Sequence, residues 1–302
     1  MITVQVAPTS ANLGPGFDCL ALTLDLGEIC IQTSVETGEE GIKVTPTGWG
    51  QDSLPQDGSN LVARAFQHFA SRKGLPLPTG LNIHSQNGIP IGSGLGSSAA
   101  AIVSGLLAAR EYFADSTPMD ELVNMALALE GHADNTTAAL LGGLVVLTVQ
   151  DGEVIYRRFP AARIPVVVIR PEFSLSTIAA RRALPGQVSF KHAVSNLGNT
   201  ALLIEALRSG DIDLLEKVYR DYLHQPSRLP LIPGAYQAVQ SGLEAGAAAV
   251  VLSGAGPSLL AFTPHDQGEV AGAMQEGFLK AGLESRAFFG WTADRAAQVL
   301  NS

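Results

Sequence analysis

Positive charge is scarce in this sequence. Lysine and arginine total 19 in 302 residues against 28 aspartates and glutamates, for a net charge of −9. A nucleic-acid surface needs clustered positive charge, so that class of partner is excluded. No lysine lies between Lys73 and Lys191, so no Gly-Lys-Ser/Thr phosphate loop can be assembled in the middle of the chain. Cysteine is equally sparse. Cys19 and Cys30 are the only two, with neither metal-ligand spacing nor a disulfide framework, which suits a reducing cytoplasm. Long apolar spans are interrupted: residues 85–109 and 245–264 carry no full charge but are broken by Pro90, Gly92, Gly94 and Gly96, and by Gly254, Gly256 and Pro257. Neither reads as a membrane span. The opening Met-Ile-Thr-Val-Gln-Val-Ala-Pro has no basic flank and alternates like a strand, unlike a signal peptide.

Glycine, by contrast, is concentrated where it tells most. Residues 88–101 read Gly-Ile-Pro-Ile-Gly-Ser-Gly-Leu-Gly-Ser-Ser-Ala-Ala-Ala. Glycines at 92, 94 and 96 let the backbone turn with positive φ and approach a ligand without an intervening Cβ. The helix predicted from Ser98 would direct its unpaired N–H groups and partial positive charge back into the loop. Such a loop suits a phosphate chain held by backbone alone. Its bland alternative is a glycine-rich link between a strand and a buried helix.

The length favours two domains, expected at 1–160 and 161–302 because composition breaks near Pro160–Pro165. The patterning predicts strands at 1–7 and 20–35, a turn-rich stretch at 8–18, and a hairpin and loop over 38–59. It predicts helices at 60–73, from 98 to about 113, and at 117–130, with strands at 81–84 and 143–149 and a turn at Asp151-Gly152. In the second half it predicts strand 166–170, helices near 193–208, 211–224 and 235–245, and strand–turn–strand over 248–262. A helix at 267–282 and a strand at 285–289 follow. The mixture is α+β.

Four other segments carry chemistry. Pro8-Thr9-Ser10-Ala11-Asn12-Leu13-Gly14-Pro15-Gly16-Phe17-Asp18 sets Asn12 and Asp18 on a rigid turn. Glu130-Gly131-His132-Ala133-Asp134-Asn135 follows a helix. An acid at a helix C-terminus opposes the dipole unless it meets a cation, so Glu130 with the Ser98 hydroxyl is a candidate Mg²⁺ site. Arg181 and Arg228 suit two-point binding of a carboxylate. Ser253-Gly254-Ala255-Gly256-Pro257-Ser258 is a second glycine turn.

Taken together, these segments resemble the GHMP kinase superfamily, with the homoserine kinases as the nearest group within it. Three motifs match in order, at 8–18, 90–100 and 253–258, and the narrower likeness rests on Gly-Pro-Gly-Phe-Asp, Glu-Gly-His-Ala-Asp-Asn, Ser-Thr-Ile-Ala-Ala-Arg with Leu184-Pro185, and Arg228. The resemblance implies an N-terminal domain like ribosomal protein S5 domain 2 and a ferredoxin-like C-terminal domain. It implies transfer of the ATP γ-phosphate to the side-chain hydroxyl of L-homoserine, on the route to threonine, in the cytoplasm. By similarity, Pro90, Ile91, Gly92, Ser93, Gly94, Leu95, Gly96, Ser97, Ser98, Ala99 and Ala100 wrap the phosphates, and Asn60 lies by the adenine. Ser98 and Glu130 hold Mg²⁺. Asn12, Asp18, His132 and Asp134 surround the amino and hydroxyl ends of the substrate, Arg181 and Arg228 its carboxylate, and Asp134 orients the hydroxyl. The implied partners are these small molecules, with a homodimer allowed. Ala133 stands where the family often has proline, and Thr136-Thr137 replace a usual Val/Ala pair. The alternatives are a kinase for mevalonate, shikimate or a related alcohol, and a nucleotide-binding regulator without catalysis.

Overall fold

A computed structural model describes residues 1–300. The first sheet runs in the order β13 (Gln298–Leu300), β1 (Ile2–Val6), β4 (Ile31–Thr37), β6 (Gly80–Asn87) and β5 (Gly41–Gly48). Alternate residues Val4, Val6, Ile31, Val35, Ile83 and Val44 point into the core, as a half-covered sheet requires. Helix α2 (Ser97–Tyr112) packs beneath it, and α1 (Leu61–Lys73) packs against α2. In α2 both sides are buried, from Ala99 to Ala109. A Cβ at Gly105 would collide with the Val62 carbonyl of α1, which explains a glycine in mid-helix despite its poor propensity.

The second sheet is longer: β10 (Ala249–Leu252), β11 (Leu259–Phe262), β9 (Pro165–Pro171), β12 (Ser285–Ala293), β3 (Gly16–Asp25), β7 (Leu144–Gln150) and β8 (Glu153–Phe159), with β2 (Thr9–Asn12) paired to β3. Helices α9 (Ala235–Glu244) and α10 (Gln267–Leu279) cover its C-terminal half over a second core that includes Ile169, Leu252, Met274 and Phe278. Strand β12 pairs with β9 and then, at Trp291–Ala293, with β3. Backbone hydrogen bonding therefore runs unbroken from one half of the chain to the other.

The α+β class is as expected, but several elements differ. The strand expected over 20–35 is two strands, broken at residues 26–30 around Gly27. The expected hairpin over 38–59 does not form: β6 inserts between β4 and β5 and pairs with β5 in parallel. The 8–18 stretch is largely β2 and the start of β3. The helix expected over 211–224 stops at Val218, as α7 (Ile212–Val218), because the next turns are spent on Asp221 capping the backbone at 223–225. Unforeseen were the short helices α4 (Asp134–Leu141), α5 (Thr177–Arg182) and α8 (Gln225–Arg228), and strand β13. The remaining helices are α3 (Met119–Glu130) and α6 (Phe190–Ser209).

Candidate active site

The three glycine-bearing motifs meet at one cleft of about 390 Å³, within the range of small-molecule sites. The loop before α2 turns through positive φ at Gly92 (63°), Gly94 (83°) and Gly96 (71°). At Gly94 a Cβ would strike the Ser253 carbonyl, and at Gly96 the Thr9 side chain. The loop is tied down through its carbonyls. Ser253 Oγ donates to Gly94 O at 2.7 Å, the Ser258 amide to Ser93 O at 3.3 Å, and the Thr9 amide to Leu95 O at 3.1 Å. Ser93 Oγ, fully buried, donates to Pro90 O at 2.7 Å. With the carbonyls committed, the amides of Gly92, Gly94, Gly96, Ser97 and Ser98 have no protein acceptor among the described residues. They and the start of α2 form an anion cradle.

Beside this cradle, Ser98 Oγ donates to Glu130 Oε1. Glu130 ends α3, where Gly131 turns at φ 84°. No group of three or more His, Cys, Asp or Glu gathers as a metal cluster among the described residues. A carboxylate and a hydroxyl facing a phosphate cradle fit Mg²⁺, which takes one or two protein oxygens and completes its shell with phosphate and water.

The other end of the cleft is built from side chains. Asp18, held at φ 54°, receives Arg181 in a two-point pair, Nη1–Oδ2 at 2.9 Å and Nη2–Oδ1 at 3.0 Å. Buried Asn12 (φ 68°) spends its amide internally: Nδ2 donates to Gly254 O at 2.7 Å, and Oδ1 accepts the Asp18 amide at 3.0 Å. It therefore locks the first motif to the third while lining the cleft. Asn60 likewise caps α1 by accepting the Val62 amide and donates to Pro55 O, and it too lines the cleft. Asp134 opens α4, buried, with Oδ1 accepting the Asn135 amide at 2.7 Å. His132 Nδ1 lies 3.4 Å from Asp134 Oδ1, and its Nε2 lies 3.9 Å from Glu130 Oε1. The Asp134 carboxylate raises the His132 pKa above its ordinary value, with Glu130 adding and burial opposing. The Cys19 thiol is pushed up to about 11 by burial and by Asp18 and Asp134, so it is inert at neutral pH.

Arg228 is almost wholly buried, and burial draws its pKa down, although a guanidinium stays charged. Nε donates to Ala180 O at 3.2 Å, and the guanidinium lies 5.0 Å from the Phe17 ring centre. Its Nη1 faces His224 Nδ1 at 3.3 Å, and His224 Nε2 lies 2.9 Å from Gly14 O. A carbonyl only accepts and a guanidinium only donates. His224 is therefore the neutral tautomer with its proton on Nε2, consistent with a pKa lowered by burial. Its ring stacks on Phe17 at 5.2 Å.

Of the residues expected at the site, Asn12, Asp18, Asn60, Ile91–Gly94, Gly96–Ser98, Glu130, His132, Asp134, Arg181 and Arg228 line this cleft, whereas Pro90 and Leu95 are buried beneath the loop and Ala99 and Ala100 are buried within α2. The reading from sequence missed His224 and Phe17, which lie behind the cleft wall and pack on Arg228. The available signal was spacing: His224 lies four residues before Arg228, one helical turn away on the same face. It also missed Leu175, Thr177 and Asn135 on the cleft wall.

Comparison with known proteins follows the same lines. Residues 60–143 match the model for the GHMP kinases N terminal domain, and residues 203–280 that for GHMP kinases C terminal. The chain is similar to the homoserine kinase of Carboxydothermus hydrogenoformans, 39% identical over 98% of this chain and 96% of that protein. It is 41% identical to that of Moorella thermoacetica, over 94% and 95%. Among solved structures, homoserine kinase from Cytophaga hutchinsonii superposes with a TM-score of 0.88 at 27% identity, covering 99% of this chain and 97% of that one.

Proposed function

The chain belongs to the GHMP kinases, alongside their homoserine kinases, and from that premise we propose that its cleft phosphorylates L-homoserine with ATP. The product is O-phospho-L-homoserine, on the route to threonine in the cytoplasm. The observation that carries this reading is the layout of the cleft: an amide cradle at one end, and at the other two arginines, two carboxylates and a histidine set for a small zwitterion. Residues 1–160 supply the nucleotide side, and residues 161–302 close the cleft with Arg181, Arg228 and the 253–258 turn.

In this assignment the amides of Gly92–Ser98 hold the phosphates, and Asn60 borders the adenine. Ser98 and Glu130 hold Mg²⁺, which when bound offsets charge on the β- and γ-phosphates. Arg228 and Arg181 bind the α-carboxylate of homoserine. Asp18 and Asn12 lie by its ammonium, so the Asp18–Arg181 pair becomes a pair of complementary contacts to one amino acid. Asp134, with His132 beside it, accepts a hydrogen bond from the substrate hydroxyl and points its oxygen at phosphorus. Phosphoryl transfer has a loose transition state, in which the hydroxyl keeps its proton until late. Asp134 is thus an orienting group, and Asp134→Asn retains measurable turnover; complete loss with homoserine binding intact makes it an obligate base instead.

The direct test is ADP release in a coupled assay. Homoserine supports turnover, while mevalonate and shikimate, which lack the α-amino acid pair, do not. Turnover with either of those and none with homoserine overturns the assignment. No helix among the described residues is long and apolar enough to cross a membrane, which is compatible with a reaction between two water-soluble substrates.

A further inference from the structure

Strands β9 and β12 carry Arg170 and Arg286 as directly opposed partners, so both side chains leave the same face of the sheet. That face is turned away from α9 and α10, because the alternate residues Val167 and Ile169 pack under those helices. The turn after β5 brings Trp49 to the same place. Its amide donates to Asn87 O at 2.8 Å, and its carbonyl accepts from Asn87 Nδ2 at 2.9 Å. The Arg170 guanidinium lies 5.3 Å from the indole centre and that of Arg286 lies 5.5 Å away. Like charges opposed across two strands repel. An indole face relieves part of that repulsion, but it takes up none of the N–H donors in the guanidinium planes. Neither arginine meets a carboxylate among the described residues. Arg170 Nε is also shut off from solvent with no hydrogen-bond partner there, whereas the buried Arg228 places its Nε on Ala180 O. A buried donor left unmade is costly.

We infer that Arg170, Arg286 and the turn at 48–53 form a second anion site, outside the cleft, for a phosphate group. Residues 48–53 and Arg286 border an open hollow of about 450 Å³, and Arg170 joins it through the ladder and the shared indole. Charge sets the ligand class. A phosphate group brings close to two negative charges at neutral pH and enough acceptor oxygens to face two guanidinium forks at once. A single carboxylate fills one fork, as Asp18 does for Arg181. Asp52, on the rim, is exposed and pairs with neither arginine, so the donors stay open. The hollow is walled off from the cleft. Gly50, at φ 83°, sits so close to Ile91 that a Cβ there would strike its side chain, and Leu54 stands beside it. Ile91 and Leu54 line the cleft, whereas none of Trp49, Arg170 and Arg286 does. A phosphate group held here ties the 48–53 turn, which follows the first sheet, to β9 and β12 of the second.

The inference is independent of what the cleft phosphorylates, and Trp49 itself supplies the readout. Trp291 is the only other tryptophan, so Trp291→Phe leaves emission that reports on Trp49 alone. The intact chain, its cleft saturated with β,γ-methylene-ATP, is titrated with inorganic phosphate and separately with glycerol 3-phosphate, against chloride at equal ionic strength. Both phosphate probes give a saturable change with a midpoint in the low millimolar range or below, and chloride gives none. A tighter midpoint for one probe identifies the free ion or the ester as the better source of the same group. Arg170→Gln and Arg286→Gln each raise the midpoint at least about tenfold, as loss of a charge-assisted fork requires. If Arg170→Gln misfolds, Arg286→Gln decides, since that side chain is exposed. Midpoints unchanged in the variants overturn the proposal. So does the absence of a saturable change together with no uptake of radiolabelled phosphate in equilibrium dialysis of the analogue-saturated protein.

Discussion

In the proposed assignment the two ends of the cleft solve the same problem, the binding of charge, with different material. At the phosphate end the groups are backbone amides and a helix start, and the side chains mostly serve to anchor the loop. At the amino-acid end the charge is carried by Asp18, Arg181, Arg228, Asp134 and His132, drawn from five separate elements or turns. Backbone sites are specified locally, by glycine at the right spacing, and they fail by steric collision. Side-chain sites are specified at long range and fail by loss of one partner. Variants at each end should therefore produce different kinds of loss.

The largest effect is expected within the loop itself. Gly94→Ala combines a positive φ with a collision against the Ser253 carbonyl and should cost about 3 kcal/mol or more in stability. Gly92→Ala meets open space and should cost only about 1 kcal/mol from its φ. Urea unfolding of the two variants measures the difference; equal losses would mean that the loop is not clamped by the third motif.

At the other end, Arg228→Ala should raise the homoserine KM at least about tenfold, since a charged hydrogen bond contributes about 1.5–3 kcal/mol. The ATP KM should hardly move. Parallel losses for both substrates would erase the distinction between the two ends.

A smaller and finer effect is expected at His224. His224→Gln keeps a donor for the Gly14 carbonyl but loses the lone pair facing Arg228, so the homoserine KM should rise about fivefold with stability largely retained, a loss near one ordinary hydrogen bond. His224→Asn keeps an acceptor near Nδ1 and loses the bond to Gly14, so its deficit should fall on stability. Steady-state kinetics and melting temperature together separate the two.

The smallest effect concerns pH. His132 has a folded-state pKa raised by Asp134, so its imidazolium adds stability that is fully present below the unfolded value of about 6.5. That contribution is lost as pH rises through the folded pKa. The stability difference between wild type and His132→Gln should accordingly be greatest in mild acid and shrink toward alkaline pH. A difference that grows with pH would mean that burial, not the carboxylates, governs this histidine.

The same contrast explains what could be read in advance. The glycine loop and its following helix were legible because each is a local pattern with one physical use. Helix α4 was not: Asp134, Asn135, Thr136 and Thr137 are weak helix formers, and the helix forms because Ala138, Ala139 and Leu140 are buried against its neighbours. The order β4-β6-β5 was hidden for a related reason, since β6 comes from beyond a helix and displaces the hairpin that adjacency suggests. Arg181 and Arg228 stand out in the sequence as candidate carboxylate binders, but the sequence does not show that Arg181 pairs with Asp18, 163 residues away, or that Arg228 faces the lone pair of a neutral histidine.

Strand β12 deserves a mechanical reading. It is hydrogen-bonded along its first seven residues to β9 and along its last three to β3, so it acts as a splice between the halves. A hinge there would tear a ladder of backbone bonds in a fully formed sheet. Opening of the cleft by rotation of one half of the chain against the other is therefore opposed by that ladder.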